Sequence, residues 1–146
     1  MLREHVENET ELGLVAKEIL NKGNLVSDEL VTSMLIERLE NDDCEKGAIL
    51  DGFPRTITQA ESLNIEGLNI KTVILFEVNE TELIKRMVER GREDDTEESI
   101  KVRLDVYRDE TLPLIKFYDD KDVLKTVDAF GDIDEIFNHI SGLMKT

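Results

Sequence analysis

The sequence predicts an α/β domain with a largely parallel sheet, and three observations favour this fold class. Short apolar runs alternate along the chain with longer segments of helical periodicity. The run at 73–76 is apolar at every position, which is typical of a strand buried on both faces of a parallel sheet. The chain has 146 residues, 40% of them hydrophobic and 36% charged, as expected for one globular domain. Residues 1–146 are therefore predicted to form a single domain.

The first third of the chain predicts two helices and a strand. Apolar residues at helical spacing predict a helix over 4–21, which Gly23 would end. Ser27 is a favourable N-cap for a second helix, whose apolar stripe continues for about ten residues. The apolar run at 47–50 is too short for a helix and predicts a buried strand that ends at Asp51.

The middle of the chain predicts a helix, a second strand and another helix. Thr56 or Thr58 can cap the first of these helices, which is short. The run at 73–76 predicts the strand, and Asn79 can cap a helix over 80–90.

The last third predicts a long helix, a third strand and a final helix. Thr96 would open the long helix, which runs to about Tyr118 with a bend at Pro113. The third strand covers 123–127, and Asp132 is a favourable cap for the final helix.

Polar residues follow each predicted strand and point to a ligand site. Ligands of open parallel sheets bind beyond the carboxyl ends of the strands, where Asp51, Asn79 and Asp128 lie in this chain. Position alone therefore predicts that 51–59 contributes to a site. Gly52 would let backbone approach a ligand closely.

The side chains of 51–59 suit a nucleotide. The planar guanidinium of Arg55 suits a phosphate, the amide of Gln59 suits the edge of a base, and the carboxylate of Asp51 can hold Mg²⁺ through water. The simpler interpretation is a tight strand-to-helix turn with an exposed arginine.

The charge balance excludes some partner classes. The net charge is −16, with 34 acidic and 18 basic residues, so nucleic acid and anionic membranes are not expected as partners. No apolar run approaches the ~20 residues needed to cross a bilayer. The single cysteine, Cys44, provides no internal disulfide framework, which favours a reducing, cytoplasmic location. An anionic ligand would need a local arginine cluster.

The string LDGFPRTITQAE at 50–61 closely resembles the signature of the adenylate kinase family. The resemblance extends through nearly the entire chain. It implies a P-loop kinase-like fold, with helices on both faces of a parallel sheet. It also implies reversible phosphoryl transfer from ATP, accompanied by Mg²⁺, to AMP, giving two ADP.

The resemblance places the AMP-binding part at about 1–27 and in the signature. Arg3 resembles the arginine that binds the AMP phosphate, and the turn at 24–26 resembles the one whose backbone recognises adenine. Without the signature, these would be a terminal side chain and an inter-helix turn. The implied AMP-binding residues are Arg3, Asn24, Leu25, Val26, Gly52, Phe53, Pro54, Arg55, Gln59, Arg92 and Arg103.

The resemblance assigns the ATP side to later arginines. Arg86 resembles the arginine that stacks on the ATP adenine, and Arg90 one that contacts the phosphates. Arg92 and Arg103 resemble the pair that holds the phosphates during transfer. Gly131 is the nearest match for a backbone contact to the ATP adenine, although a plain strand-to-helix turn explains it equally well. The implied catalytic residues are Arg55, Arg90, Arg92 and Arg103.

Residues 89–95 resemble the short lid of this family. Asp94 and Asp95 resemble the acidic pair that contacts the arginines when the lid closes. The chain has no cysteine quartet, so the zinc-binding long lid is excluded.

The sequence contains no phosphate-loop motif G-x-x-x-x-G-K-[ST]. Aligned with the family, the chain begins after the first strand, the phosphate loop, the first helix and the second strand. The resemblance places that first strand in the middle of the sheet, between 47–51 and 73–77. Either a partner chain supplies the strand, or these two strands close together, or the protein is longer than this sequence. The chain as given is expected to be inactive or very weak, while keeping part of the AMP site.

Two alternatives stay open. A UMP/CMP kinase shares the short lid, but Gln59 and the turn at 24–27 favour AMP. The other is a non-catalytic, nucleotide-binding fragment or paralogue. A monomer is expected from the resemblance, although the incomplete sheet could support association.

Overall fold

The computed structural model describes residues 1–144, which form eight α-helices and a two-stranded sheet. A 3₁₀ turn at Asp42–Cys44 and a π-helical turn at Tyr107–Thr111 complete the regular structure. The bounds are α1 Leu2–Glu7, α2 Glu11–Asn21, α3 Asp28–Leu39, α4 Ile57–Ile65, β1 Val73–Glu77, α5 Glu80–Arg90, α6 Glu97–Val106, α7 Pro113–Asp119, β2 Leu124–Asp128 and α8 Ile133–Leu143.

The two strands are parallel, which confirms the predicted α/β class. β1 and β2 pair in register from Val73 opposite Leu124 to Glu77 opposite Asp128. The backbone N–H of Ala129 donates to the carbonyl oxygen of Glu77 at 2.8 Å, so the ladder continues just beyond β2.

The core lies where α4 and α7 meet the sheet. Ala60 of α4 and Leu114 and Tyr118 of α7 are at most 7% exposed, and Val73 and Leu124 pack against them. Because α4 begins at Ile57, within the 51–59 segment, this core anchors that segment to the sheet.

Four of the predicted helix caps are confirmed by hydrogen bonds that their side chains accept, whereas Ser27 stands at the N-cap of α3 without a side-chain cap bond. The Thr56 hydroxyl accepts a hydrogen bond from the backbone N–H of Gln59, so Thr56 rather than Thr58 caps α4. Asn79, Thr96 and Asp132 cap α5, α6 and α8 in the same way. Each such cap contributes about 1 kcal/mol to helix stability.

The single helix predicted over 4–21 is wrong, because two helices occupy that range. α1 ends at Glu7, and Glu9 adopts a left-handed φ of 50°. The Thr10 hydroxyl then accepts from the backbone N–H of Gly13 and caps α2. A Cβ on Gly13 would lie 1.8 Å from the His5 carbonyl oxygen, so the glycine permits close packing of α1 on α2.

The strand predicted at 47–51 is also wrong. This segment is irregular, and the Ile49 side chain is 89% exposed. Within residues 1–144, β1 pairs only with β2, so neither edge receives the 47–51 segment. An apolar run forms a stable strand only when a neighbour accepts its backbone hydrogen bonds, and here none does.

The long helix predicted from Thr96 is interrupted near the expected bend. α6 ends at Val106, a π-helical turn follows, and α7 begins with Pro113. Leu112 N donates to the Tyr107 carbonyl oxygen five residues earlier, at 2.8 Å. Proline has no N–H to continue the helical ladder but fits well in a first turn, which explains a new helix at this position.

Several large apolar side chains remain exposed beside the sheet. Ile133 and Phe137 of α8 are 81% and 65% exposed, and Phe76 of β1 is 51% exposed. Among residues 1–144, no helix combines the length and apolar character that crossing a bilayer requires.

Candidate functional site

The segment 51–59 forms a turn that leads into α4. Gly52 has φ +70°, in the left-handed region that favours glycine. The Arg55 Nε donates to the Gly52 carbonyl oxygen at 2.8 Å, and a Cβ on Gly52 would lie 2.9 Å from Arg55 Nη2. The bond between Phe53 and Pro54 is cis. A glycine is therefore needed at position 52 both for the left-handed backbone and to leave room for the Arg55 side chain, which folds back over it.

A buried hydrogen-bond network, here called the amide network, joins the start of α4 to α3. Gln59 is 2% exposed, and its Oε1 accepts from the backbone N–H of Arg55 at 2.7 Å. Its Nε2 donates to Asp28 Oδ1 at 2.7 Å. The other oxygen of Asp28 accepts from the Thr56 hydroxyl at 2.9 Å. Asp28, Thr56, Gln59 and the Arg55 backbone therefore form one connected unit.

Arg55 lies near two other arginines. The pKa of its guanidinium is lowered, first because protein atoms displace water around it and then because Arg103 and Arg3 are positively charged. The negative charge of Asp51 opposes this shift. Positive charge from α1, α6 and the turn thus converges within a chain of net charge −16. Such a local concentration suits an anion with several oxygens, such as a phosphate.

Five charged side chains, here called the acid–arginine cluster, connect α1, α5 and α6 around the 89–95 segment. Arg3 Nη2 lies 2.8 Å from Asp94 Oδ2, and Arg90 Nη2 lies 2.7 Å from Asp95 Oδ1. Arg103 pairs with both carboxylates, including Asp95 Oδ1 at 2.7 Å. The side chains of Asp94 and Asp95 are 6% and 1% exposed, whereas that of Arg3 is 43% exposed. The two acids are enclosed and Arg3 and Arg90 face outward, whereas Arg103 is only 21% exposed.

The cluster keeps its carboxylates ionised. The hydrogen bond from Arg90 lowers the pKa of Asp95 to about 2, against the opposing effect of desolvation and with further help from Arg103. Desolvation raises the pKa of Asp94, but the hydrogen bond and charge of Arg3 and the charge of Arg103 outweigh it, so the net shift is downward. Both acids are therefore fully charged near neutral pH.

Gly23 places the end of α2 directly on α6. Its φ is +79°, and a Cβ there would lie 2.5 Å from the Ser99 carbonyl oxygen. Arg103 Nη2 lies 3.4 Å from the Leu20 carbonyl oxygen. The turn that follows, 24–26, has Asn24 exposed, Leu25 half-buried and Val26 buried. The predicted AMP-binding part thus contacts the helix that carries Arg103.

Four residues predicted to bind ATP, the phosphates or Mg²⁺ do not join the acid–arginine cluster. Arg86 pairs with Glu82 along α5 at 2.8 Å. The exposed Arg92 makes no side-chain hydrogen bond or ion pair with residues 1–144, although its backbone N–H donates to Asp95 at 3.3 Å. Gly131, with φ +130°, follows β2 with open space on its Cβ side. The exposed Asp51 has no hydrogen-bond partner within the same range.

Two residues of the site region were not predicted. Asp28 lies in the first turn of α3, where an acidic residue is common and needs no further explanation. Only its position in the 23–30 segment could have suggested that it belongs to the site. The Thr111 hydroxyl donates to the Arg55 carbonyl oxygen at 2.8 Å across 56 residues, and no local pattern indicates that contact.

The described residues do not form a metal site by themselves. Within residues 1–144, no three His, Cys, Asp or Glu side chains come together to hold an ion. One exposed carboxylate at Asp51 fits Mg²⁺ that takes its other ligands from water and nucleotide phosphates.

Known proteins show what the chain is similar to. A family model described as adenylate kinase matches residues 1–123. The chain is 46% identical over 145 residues to an adenylate kinase of Mycobacteroides abscessus, covering 97% of this chain and 79% of the relative. Identity is 47% over 141 residues to that of Mycobacterium sp. (strain MCS), covering 94% and 77%. It is 48% over 141 residues to that of Mycolicibacterium paratuberculosis, again covering 94% and 77%. The chain thus spans about four fifths of the length of these relatives.

Proposed function

The chain belongs to the adenylate kinase family, and on that premise we propose that it holds AMP between α1, the 51–59 turn and α6. The reaction it serves is reversible transfer of the ATP γ-phosphoryl group to AMP, giving two ADP. In such transfers, proteins act mainly by positioning the two phosphates and stabilising their charge.

The convergence of Arg3, Arg55 and Arg103 carries this proposal. Within residues 1–144, Arg3 and Arg103 both pair with the carboxylate of Asp94, and Arg103 also pairs with Asp95, whereas Arg55 forms no ion pair. A phosphate offers three acceptor oxygens and more charge than a carboxylate, so it can bind Arg55 and compete with Asp94 for the other two. AMP therefore binds at the expense of ion pairs that are present without it.

The adenine of AMP would lie against the 24–26 turn and the amide of Gln59. Backbone groups of Asn24, Leu25 and Val26 would recognise the base edge, while Gly52, Phe53 and Pro54 shape the wall beside it. The hydrogen bonds of Gln59 to Arg55 and Asp28 hold its amide in one orientation.

ATP would lie on the lid side. Arg86 would stack on its adenine, Arg90, Arg92 and Arg103 would bind its phosphates, and Gly131 would contact the base through backbone. Mg²⁺ bound with ATP neutralises phosphate charge, and the Asp51 carboxylate would orient a water on it.

Catalysis by the 146-residue chain alone is proposed to be very weak or absent. The sequence contains no G-x-x-x-x-G-K-[ST] motif, whose amides and lysine bind the transferred phosphoryl group. A coupled assay that gave an ordinary rate of ADP formation from this chain would contradict the proposal.

Calorimetric titration with AMP, UMP and ATP tests the binding. We expect AMP to bind, and Arg3→Ala to weaken it about tenfold to a hundredfold, as for the loss of hydrogen bonds to a charged group. Arg38→Ala is the control, because within residues 1–144 the Arg38 side chain pairs only with Asp43 and Cys44 of the nearby 3₁₀ turn. Preference for UMP would favour a UMP/CMP kinase, and no binding of AMP would rule the site out.

A further inference from the structure

The side-chain amide of Gln59 has only one possible orientation. Its two neighbours are a carboxylate oxygen of Asp28, which can only accept, and the backbone N–H of Arg55, which can only donate. The amide must therefore point Nε2 at Asp28 and Oε1 at Arg55. Reversing it would place oxygen against oxygen at Asp28 and N–H against N–H at Arg55, across two contacts that are each 2.7 Å long.

Thr56 holds the carboxylate that imposes this orientation. Its hydroxyl donates to Asp28 Oδ2 at 2.9 Å and accepts from the backbone N–H of Gln59 at 3.1 Å. Thr56 is 8% exposed and Gln59 2%, so water cannot readily replace either partner. Asp28 thus controls the amide from a helix that is 31 residues away in sequence.

A fixed amide leaves one donor and one acceptor in a fixed order. After the two protein contacts, the amide retains one N–H and one oxygen lone pair. Adenine offers an acceptor at N1 beside a donor at N6, whereas hypoxanthine and guanine offer a donor at N1 beside an acceptor at O6. An amide that cannot rotate complements one of these orders and opposes the other.

We infer that Asp28 is a positioning residue for base selection: by fixing the Gln59 amide, it makes the site choose a 6-aminopurine over a 6-oxopurine monophosphate. This inference rests on the proposed binding of AMP at this site. It adds a determinant that acts through Gln59 without touching the base. Sites built to pair with a specific polar edge reject the wrong edge strongly, because groups on both sides are left unpaired.

Asp28→Asn tests the inference, because the amide that replaces the carboxylate is similar in shape and can accept or donate. The dissociation constants of AMP and IMP are measured by titration followed by NMR, for the unmodified chain and the variant. We expect the ratio of the IMP constant to the AMP constant to fall by at least about tenfold. Glu29→Gln is the matched control: it removes the same charge from the next residue of α3, whose side chain is exposed and outside the amide network.

The outcomes separate the inference from the proposed function. If the unmodified chain binds no AMP, both fail. If it prefers AMP and Asp28→Asn weakens both ligands equally, the ratio is unchanged, Asp28 has only a structural role, and the inference alone fails. If Asp28→Asn does not fold, Thr56→Ala replaces it: loss of the hydroxyl should lower the ratio by a smaller factor, and an unchanged ratio would overturn the inference.

Discussion

The amide network and the acid–arginine cluster lie on two sides of the same candidate site, yet different forces hold them. The amide network contains one carboxylate, no cationic side chain and two nearly buried residues, Thr56 and Gln59. The acid–arginine cluster contains two enclosed carboxylates and three arginines, of which Arg3 and Arg90 are well exposed. Buried hydrogen bonds to one carboxylate keep one geometry, whereas ion pairs whose arginines reach the surface can exchange one anion for another. The side proposed to recognise a base is therefore preformed, and the side proposed to bind phosphate is exchangeable.

The largest expected effect comes from removing one charge inside the cluster. Asp95→Asn leaves Arg90 and Arg103 close together without their shared carboxylate, so it should lower the free energy of unfolding by about 3 kcal/mol. Urea denaturation followed by circular dichroism measures this. Asp105→Asn is the control: among the described residues 1–144 it breaks only an exposed pair with Arg108, so it should cost less than about 1 kcal/mol. Equal effects of the two changes would show that the enclosed pairs are no stronger than surface pairs.

The acid–arginine cluster should make stability depend on pH. The folded-state pKa of Asp95 is about 2, below its ordinary value, so its contribution is complete above the ordinary range and is lost as the pH falls towards 2. Asp94 shifts in the same direction. The melting temperature should therefore fall between about pH 5 and pH 2. The melting temperature should fall less steeply with pH in Asp95→Asn. Parallel plots of melting temperature against pH for the two proteins would contradict the assignment of this pH dependence to Asp95.

A substitution in the amide network is expected to lower the free energy of unfolding by a smaller amount. Thr56→Ala removes the cap of α4 and the hydroxyl that donates to Asp28, which should cost about 1–2 kcal/mol. Thr58→Ala provides a matched comparison, because Thr58 is exposed and caps nothing. Thermal unfolding in low and high salt distinguishes the two regions: the cost of Thr56→Ala should be insensitive to salt, while that of Asp95→Asn should shrink.

The smallest effect is expected for an arginine outside both regions. Arg86 pairs with Glu82 one turn earlier on α5, and both are far from the amide network in sequence. Arg86→Ala should change stability by no more than about 0.5 kcal/mol and leave AMP binding unaltered. A calorimetric titration with AMP would show otherwise if Arg86 belonged to the cluster.

Local signals predicted the helix starts well, because a cap is satisfied within three residues of itself. Thr56, Asn79 and Asp132 needed no knowledge of the rest of the chain. The strand predicted at 47–50 was wrong for the opposite reason, because strand formation depends on a neighbouring strand that periodicity cannot detect. In the structure, β1 pairs with β2 instead.

At the candidate site too, some residues were predicted from the sequence and others were missed. The family resemblance identified the arginines, and the structure brings Arg3, Arg90 and Arg103 onto Asp94 and Asp95. Their roles in nucleotide binding stay predictions. Asp28 was missed because both of its partners, Thr56 and Gln59, lie 28 and 31 residues further along, beyond the reach of any spacing rule.

The exposed apolar side chains beside the sheet bear on how concentrated solutions of this chain behave. Exposed apolar surface, such as that of Phe76, Ile133 and Phe137, favours association of two copies. The net charge of −16 makes copies of the chain repel one another at neutral pH. Acidification towards the isoelectric point of about 4.5 removes that repulsion before the acid–arginine cluster loses its charges. Light scattering should therefore report clustering of folded molecules at a pH where the chain has not yet begun to unfold.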